Sequence, residues 1–254
     1  PAYLTGKPLN PKNTIHHLKE HLIEKGNRLN SVYGNKLQNE ADQQLGSDNI
    51  LEKELVGNIC SKDELWSCTT CANCVQNCPV LIEHVQKYVD MRRYLILTEG
   101  VFPEELENVF RNFENNSNPW GLGLASRGDW AKELPVKTLA EKPDVEYLLY
   151  VGCAGSFSDR GKKVASDIVR LFNLADISFG ILGVEEKCCG ETARRLGNEY
   201  QFQAMAMELA EAINGYGIKK IITLCPHGYN TLKNEYDDVG GNWEVYHYVE
   251  ILKK

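Results

Sequence analysis

The chain has 254 residues, of which 43% are hydrophobic and 25% are charged, so it is long enough for one large domain or two smaller domains with buried cores. Its net charge of -7 at pH 7 provides no basic surface for phosphates, which excludes nucleic acid as an expected partner. Most of its nine cysteines have metal-ligand spacing, and no apolar run approaches the ~20 residues of a membrane span, so we predict a reducing, cytoplasmic location.

The first half of the sequence is predicted to be helical. Apolar residues at helical spacing predict a first helix that ends at Gly26. Residues 27–50 are rich in Asn, Gln, Gly and Asp, which predicts an irregular loop. Further helices are predicted over about 82–97 and 104–113, so residues 1–140 are expected to form an all-helical domain.

A compact cysteine motif stands between these helices. It reads Cys68-Thr-Thr-Cys71-Ala-Asn-Cys74-Val-Gln-Asn-Cys78-Pro79. This is the C-x2-C-x2-C-x3-C-P spacing with which bacterial ferredoxins hold a [4Fe–4S] cluster. A structural zinc site is the alternative, but such sites commonly use two C-x2-C pairs separated by a longer loop. We therefore predict that these four cysteines ligate a [4Fe–4S] cluster, and that the lone Cys60 is a buried thiol.

The second half of the sequence alternates between strand and helix patterns. The predicted elements are strands over 146–151, 177–182 and 219–224 and helices over 160–172 and 192–214. Strands that alternate with helices of this length indicate a parallel sheet of βαβ units. We therefore predict an α+β multidomain chain in which an α/β domain occupies residues 141–254.

A second group of cysteines follows the predicted strands. In strand order these cysteines are Cys153, then Cys188 with Cys189, then Cys225. Ligands bind at the carboxyl edge of a parallel sheet, and helix N-termini at that edge favour anionic groups. Buried free cysteines are common in protein cores, but four at one edge favour a second metal or cluster site.

This second group resembles a known family. Its pattern reads Cys153-x34-Cys188-Cys189-Gly190-x34-Cys225, and the first half contains Leu65-Trp-Ser-Cys68 and Asp90-Met-Arg-Arg93. The pattern is similar to the CCG cysteine-rich domain of the heterodisulfide reductase family. Nearly the whole chain resembles the membrane-linked, D-type member of that family and related oxidoreductases that take electrons from electron-transfer flavoproteins. The resemblance implies a helical ferredoxin-type domain, a Rossmann-like CCG domain and a second iron–sulfur cluster ligated by the second group.

One position departs from the family pattern. Gly228 stands where the last cysteine of a C-x-x-C pair is usual. The reductases use five cysteines to hold a non-cubane [4Fe–4S] cluster, and four of the five are present here. The second site is therefore expected to hold a cubane cluster, an altered cluster or none, and disulfide chemistry is not assigned to it. The neighbouring His227 is an alternative ligand.

The ends of the chain resemble internal parts of these proteins, so we interpret the chain as the middle of a longer protein. Relatives carry two ferredoxin motifs, and the first residues here are similar to those that follow the first motif. In two-cluster ferredoxins the fourth cysteine of each motif ligates the other cluster. By that rule the first three cysteines of the motif would share a cluster with an upstream cysteine, and Cys78 or Cys60 would have to replace it in this chain.

These observations predict an iron–sulfur oxidoreductase that passes electrons from a [4Fe–4S] cluster to the second cysteine site. The resemblance implies a redox partner such as an electron-transfer flavoprotein. It also implies a membrane haem or quinone that is reached through segments outside this chain. Two alternatives stay open, namely a non-catalytic electron relay between a flavoprotein and a membrane chain, and a zinc-stabilised interaction domain.

Overall fold

The computed structural model describes residues 2–36 and 49–253, and the chain divides into two compact units, residues 1–100 and 101–254. Each unit has its own buried apolar core. Within the described ranges no helix is both long enough and apolar enough to cross a membrane.

The two units divide earlier in the chain than the sequence interpretation placed the boundary. Residues 101–140 belong to the second unit, although their helical pattern grouped them with the first half. The reason is packing, because Ala131 is buried in the same apolar core as Leu149 of the sheet. The compact units therefore divide between residues 100 and 101 rather than between 140 and 141.

The first unit consists of one long helix and several short ones. They are α1 (Pro11–Lys36), α2 (Asn49–Glu52), α3 (Lys62–Trp66), α4 (Asn73–Gln76) and α5 (His84–Tyr94), with a π-helical turn at Leu95–Glu99. Ser61 begins α3 with a capping box, since its hydroxyl accepts from the Glu64 N–H at 3.1 Å and Glu64 Oε2 accepts from the Ser61 N–H at 3.0 Å. The helix predicted over 82–97 is confirmed as α5 and the π-helical turn.

Helix α1 corrects the prediction for the first half. It continues through Gly26 to Lys36, so residues 27–36 are helical rather than an irregular loop. A glycine ends a helix when it adopts a left-handed conformation, and Gly26 does not. Of the rest of the predicted loop, α2 begins at Asn49 and residues 37–48 lie outside the described residues.

The apolar core of the first unit packs α5 against α3 and the segment that precedes it. Its buried residues are Val56, Cys60, Leu65, Tyr88, Met91 and Leu95. Cys60 is a fully buried free thiol, as the sequence predicted, and burial raises its pKa to about 11. This core supports the cysteine motif, because Leu65 of α3 lies three residues before Cys68.

The second unit alternates helices with strands, as predicted. Its helices are α6 (Glu105–Asn116), α7 (Gly152–Phe157), α8 (Asp159–Leu174), α9 (Glu191–Leu196), α10 (Glu199–Gly215), α11 (Pro226–Asn234) and α12 (Tyr248–Leu252). Its strands are β1 (Tyr147–Tyr150), β2 (Phe179–Gly180), β3 (Lys220–Thr223) and β4 (Glu244–His247). The α/β architecture of the second half is confirmed.

The four strands form one parallel sheet in the order β2-β1-β3-β4. Leu148 pairs with Ile221, and Ile222 pairs with Tyr246, which sets the register of the central strands. β1 and β3 are buried along nearly their whole length, as expected for parallel strands covered on both faces. Because the strand order reverses between β1 and β3, their carboxyl ends form the topological switch point at which open α/β sheets bind ligands.

A break divides the long helix predicted over 192–214. Gly197 has a φ of 94° and ends α9, and the Asn198 side chain then accepts from the Gln201 N–H at 3.2 Å to begin α10. The sequence pattern did not show this break, because apolar residues continue at helical spacing on both sides of the glycine. The shorter α9 carries the residues that follow Cys188 and Cys189.

Candidate metal centres

The first cysteine motif folds as a tight loop around α4. Cys68 follows α3, Cys74 lies within α4, and Thr70 and Ala72 have left-handed φ values of 54° and 57°. Such values are uncommon for residues other than glycine, and they cluster where the surrounding structure holds a functional loop in shape. The two left-handed residues reverse the chain on each side of Cys71.

A cavity of about 210 Å³ lies inside this loop. Among the residues that line it are Cys68, Cys71 and Cys74, together with Tyr88 of α5. Cys78 does not line this cavity, and its Sγ instead accepts from the Ile82 N–H at 3.3 Å. The structure therefore brings three of the four predicted ligands around one cavity and leaves the fourth apart.

A buried arginine supports the first cysteine of the motif. Arg92 of α5 is 2% exposed, and its Nη2 donates to Leu65 O at 2.7 Å and to Cys68 O at 2.6 Å. Its guanidinium also lies over the Trp66 ring, 5.0 Å from the ring centroid. Burial raises the pKa of the Cys68 thiol, whereas the Thr70 N–H and the Arg92 charge lower it. Arg92 therefore fixes the backbone at Cys68 and adds a positive charge beside its thiol.

The residues around this cavity fit an iron–sulfur cluster. In the described part of the chain, no three His, Cys, Asp or Glu side chains are close enough together to hold a single metal ion. A [4Fe–4S] cluster takes one thiolate on each iron and also has sulfur atoms that accept hydrogen bonds. Three thiols and the buried, unpartnered hydroxyl of Tyr88 around one cavity match that combination.

The second cysteine group lies at the carboxyl edge of the sheet. Cys153 follows β1 in the first turn of α7, Cys188 and Cys189 follow β2, and Cys225 follows β3 and begins α11. Cys188 forms hydrogen bonds with both Cys153 and Cys189. Cys225 is close enough to Cys189 for their charges to interact, and it accepts from the N–H groups of the first turn of α11.

A buried ion pair joins the two loops that carry these cysteines. Arg127 and Glu186 are 0% and 2% exposed, and Arg127 Nη2 donates to Glu186 Oε1 at 3.1 Å. The same Nη2 lies 3.6 Å from Cys153 Sγ. Glu186 also accepts from the N–H groups of Val151 and Gly152, each at 3.0 Å. The pair thus ties the turn before Cys153 to the segment before Cys188.

The ion pair changes the electrostatics of the second site. The hydrogen bond with Cys188, together with the charge and hydrogen bond of Arg127, lowers the pKa of Cys153 to about 7 against the opposing effect of burial. Burial raises the pKa of Glu186, although Arg127 and two backbone N–H groups oppose that rise. A thiolate at Cys153 is therefore stabilised before any ligand is considered.

Two tyrosines hold the Cys188-Cys189 segment from either side. Tyr150 of β1 donates to Lys187 O at 2.8 Å, and Tyr236 donates to Cys189 O at 3.0 Å. The next residue, Gly190, has a φ of 75°, and a Cβ there would lie 2.8 Å from the Phe202 ring. The glycine of the Cys-Cys-Gly sequence therefore has both a conformational and a steric cause.

The position of Gly228 has room for a side chain. Gly228 is buried in α11, and a Cβ there would lie 3.5 Å from Tyr150 Cε1, an ordinary van der Waals distance. Its backbone is helical, so a larger residue causes no left-handed strain. His227 Nδ1 lies 3.5 Å from Cys225 Sγ, which places the imidazole beside a candidate ligand.

Sequence reasoning missed Tyr88, Arg127 and Glu186. Tyr88 occupies a core position of the predicted helix, so its hydroxyl could have been flagged as needing a partner. Glu186 lies within Glu185-Glu186-Lys187, a charged run that is typical of a solvated turn. Arg127 belongs to no recognisable motif, and only the fold brings it to Cys153.

Residues 147–233 match the family described as "Cysteine-rich domain", abbreviated CCG. The second unit contains a CCG domain. The matched range includes all four strand-end cysteines, and the resemblance expected from the sequence is confirmed. Arg127 lies outside the matched range, so the CCG domain of this chain is completed by a residue from the segment before it. No solved structure matches the chain.

Iron–sulfur oxidoreductases are among the relatives of this chain. It is 46% identical, over its whole length, to the "EtfAB:quinone oxidoreductase" of Syntrophomonas wolfei, of which it covers 37%. It is 40% identical, over 99% of its length, to the "Probable iron-sulfur-binding oxidoreductase FadF" of Bacillus subtilis, of which it covers 39%. Over 75% of its length it is 28% identical to the D-type polypeptide of the dihydromethanophenazine:CoB--CoM heterodisulfide reductase of Methanosarcina mazei, of which it covers 47%. The chain thus spans less than half the length of each.

Proposed function

We propose that the chain is an iron–sulfur electron-transfer module with a [4Fe–4S] cluster at the first cysteine motif and a second cluster at the carboxyl edge of the sheet. The arrangement of the thiols carries this proposal. Three thiols line one cavity in the first unit, and in the second unit three contact one another beside a buried arginine. When bound, such clusters would accept and release single electrons, at potentials within roughly -700 to +450 mV.

At the first site the protein would hold the ligands and offset their charge. Cys68, Cys71 and Cys74 line the cavity, and Arg92 fixes the backbone of the first of them. We propose that a thiol other than Cys78 completes this set, as in the ligand exchange of two-cluster ferredoxins. On this basis the first unit is a ferredoxin-type domain, and residues 1–140 and 141–254 are our proposed functional domains.

The different position of Cys78 leads to a testable difference between two variants. Cys71→Ala is expected to remove the cluster of the first site, about four iron atoms per chain, because it deletes a ligand that lines the cavity. Cys78→Ala is expected to keep most of that iron, because its Sγ bonds to the Ile82 N–H instead. Iron and sulfide analysis measures both losses. Equal losses in the two variants would show that Cys78 is a ligand of the same cluster.

At the second site the protein would supply thiolates and a fixed positive charge. Cys153, Cys188, Cys189 and Cys225 are the proposed ligands. Arg127 lies 3.6 Å from Cys153 Sγ, and a positive charge at that distance favours the more negative, reduced form of an attached group. The turn of α11 donates N–H groups to Cys225, which has the same effect.

The names of the relatives suggest the partners. We propose that the chain exchanges electrons with an electron-transfer flavoprotein and delivers them toward a quinone or haem in a membrane. The supporting observation is the 46% identity with a protein named as a quinone oxidoreductase for EtfAB. We further propose that the chain works on the cytoplasmic side and associates with the membrane through other segments.

The metal content of anaerobically purified protein tests the proposal. About eight iron and eight sulfide per chain, with two EPR signals after reduction, are expected for two [4Fe–4S] clusters. About four of each would restrict the proposal to one site. Zinc without sulfide would overturn it and favour a zinc-stabilised interaction domain.

A specific observation favours an electron relay over a disulfide reductase. Gly228 replaces the fifth cysteine of the reductase pattern, although the surrounding structure has space for a side chain there. The loss of that thiol is therefore not forced by packing. We propose that the second site relays electrons and does not attack disulfides.

Restoring the fifth cysteine tests this proposal. Gly228→Cys is expected to change the EPR signal of the second site, because it places a new thiol on the buried face of α11 against Tyr150. Gly228→Ala is the matched control, since it adds the same Cβ without sulfur and should leave the signal unchanged. Disulfide reduction that appears in the Cys variant alone would mean that the missing thiol is what prevents that reaction. Disulfide reduction by the unaltered chain would contradict the relay proposal.

A further inference from the structure

Tyr88 has a hydroxyl group for which the protein itself supplies no hydrogen-bond partner. The residue lies on α5, its side chain is 0% exposed, and its OH makes no hydrogen bond in the structure. A buried hydroxyl without a partner costs about 1–3 kcal/mol, so such groups are rare in native proteins. A phenylalanine would fill the same space in this apolar core without that cost, so the retained oxygen needs an explanation.

The surroundings of the hydroxyl indicate what its partner is. Tyr88 lines the same cavity as Cys68, Cys71 and Cys74. Burial raises the pKa of Tyr88 and the nearby Thr14 hydroxyl opposes that rise, while charges at the thiols of Cys60, Cys68 and Cys74 add to it. The phenol therefore keeps its proton at neutral pH and is available as a donor toward sulfur.

Thr14 is the competing acceptor. It is 2% exposed, and its Oγ1 donates to Asn10 O at 3.1 Å within α1. Its hydroxyl proton is therefore used, and its oxygen could accept only weakly from the phenol without an ordered geometry, since no Tyr88 hydrogen bond forms in the structure. The cavity side, with its three thiols, is the remaining direction in which the phenol can find a strong acceptor.

We propose that Tyr88 is a positioning residue of the first metal site, whose hydroxyl donates a hydrogen bond to a sulfur atom of the bound cluster or of its cysteine ligands and so raises the reduction potential. This inference rests on the proposed function, because it requires a cluster at Cys68, Cys71 and Cys74. Reduction adds negative charge to the cluster, so a hydrogen bond to sulfur stabilises the reduced form more than the oxidised form.

Tyr88→Phe tests the inference, because it removes one buried oxygen and keeps the ring in the core. The full chain is purified anaerobically, and iron, sulfide and the potential of the first-site EPR signal are measured. We expect unchanged iron and sulfide, with the ratio of reduced to oxidised cluster at a fixed potential falling about tenfold, equivalent to ~59 mV for one electron. The signal of the second site should not move and serves as an internal reference.

Thr14→Val is the matched control, since it removes the competing hydroxyl on the other side of Tyr88 and should not lower the potential. An unchanged potential in a fully loaded Tyr88→Phe variant would overturn the inference while leaving the proposed function intact. An equal fall in the Thr14 variant would also overturn it. If Tyr88→Phe fails to load iron, an exchangeable-proton coupling in the pulsed EPR spectrum of the unaltered chain decides, and its absence contradicts the inference. Unaltered chain that holds no iron or sulfide refutes the proposed function itself.

Discussion

Replacing Cys188 by alanine is expected to lower the iron content from about eight to about four atoms per chain, with the first-site EPR signal unchanged. Cys188 is the central thiol of the second group, because it forms hydrogen bonds with both Cys153 and Cys189. Its removal leaves no thiol that contacts two others at this edge of the sheet. Iron and sulfide analysis, combined with EPR of the reduced protein, measures the loss.

Two controls make the Cys188 experiment specific. Cys60→Ala removes a thiol that is fully buried in the apolar core of the first unit, and it should leave about eight iron atoms per chain. Cys71→Ala should produce the reciprocal result, with the second-site signal retained. A Cys188→Ala protein that keeps all its iron would show that the second group is not a cluster site, whatever its resemblance to the family.

The second large effect concerns stability. Arg127→Met is expected to lower the free energy of unfolding of the second unit by about 3–5 kcal/mol, because it leaves the Glu186 carboxylate buried without its partner. The loss also removes the bond to Ser117 O, at 3.3 Å from Arg127 Nη1. Chemical denaturation followed by far-UV circular dichroism measures the change.

The chain offers a matched control for this pair. Arg170 and Asp167 also pair at 3.0 Å, but their side chains are 62% and 51% exposed, so Arg170→Met should cost less than about 1 kcal/mol. Arg127→Met combined with Glu186→Gln should recover part of the loss, since the charge that remains buried is removed. An Arg127 variant as stable as the Arg170 variant would show that the buried pair contributes little to folding.

The sequence was sufficient to place the cysteines relative to the sheet. Runs such as Tyr147–Tyr150 and Lys220–Thr223 are short, apolar and rich in strand formers, and each stands just before a cysteine. Parallel strands all point the same way, so their ends had to meet at one edge. Local patterns of this kind require no knowledge of distant contacts, which explains why this part of the prediction succeeded.

Other features depend on contacts between residues far apart in the chain. Gly26 continues a helix because its own conformation stays right-handed, and composition does not reveal that choice. The segment before the sheet joins the second unit because Ala131 and Arg127 find partners there, at Leu149 and Glu186. β4 was missed because Glu244–His247 carries polar residues and lies at the edge of the sheet, where burial imposes a weaker pattern.

The geometry of Gly190 bears on how sequences of this kind diverge. Its left-handed backbone and the nearby Phe202 ring exclude a side chain for reasons that involve no metal. Selection on the glycine therefore acts through folding, whereas selection on Cys188 and Cys189 acts through chemistry. A descendant that abandoned its redox role would be free to lose both cysteines while the glycine persisted. In surveys of genomes, the lone glycine would then mark former members of the lineage that a search for cysteines overlooks.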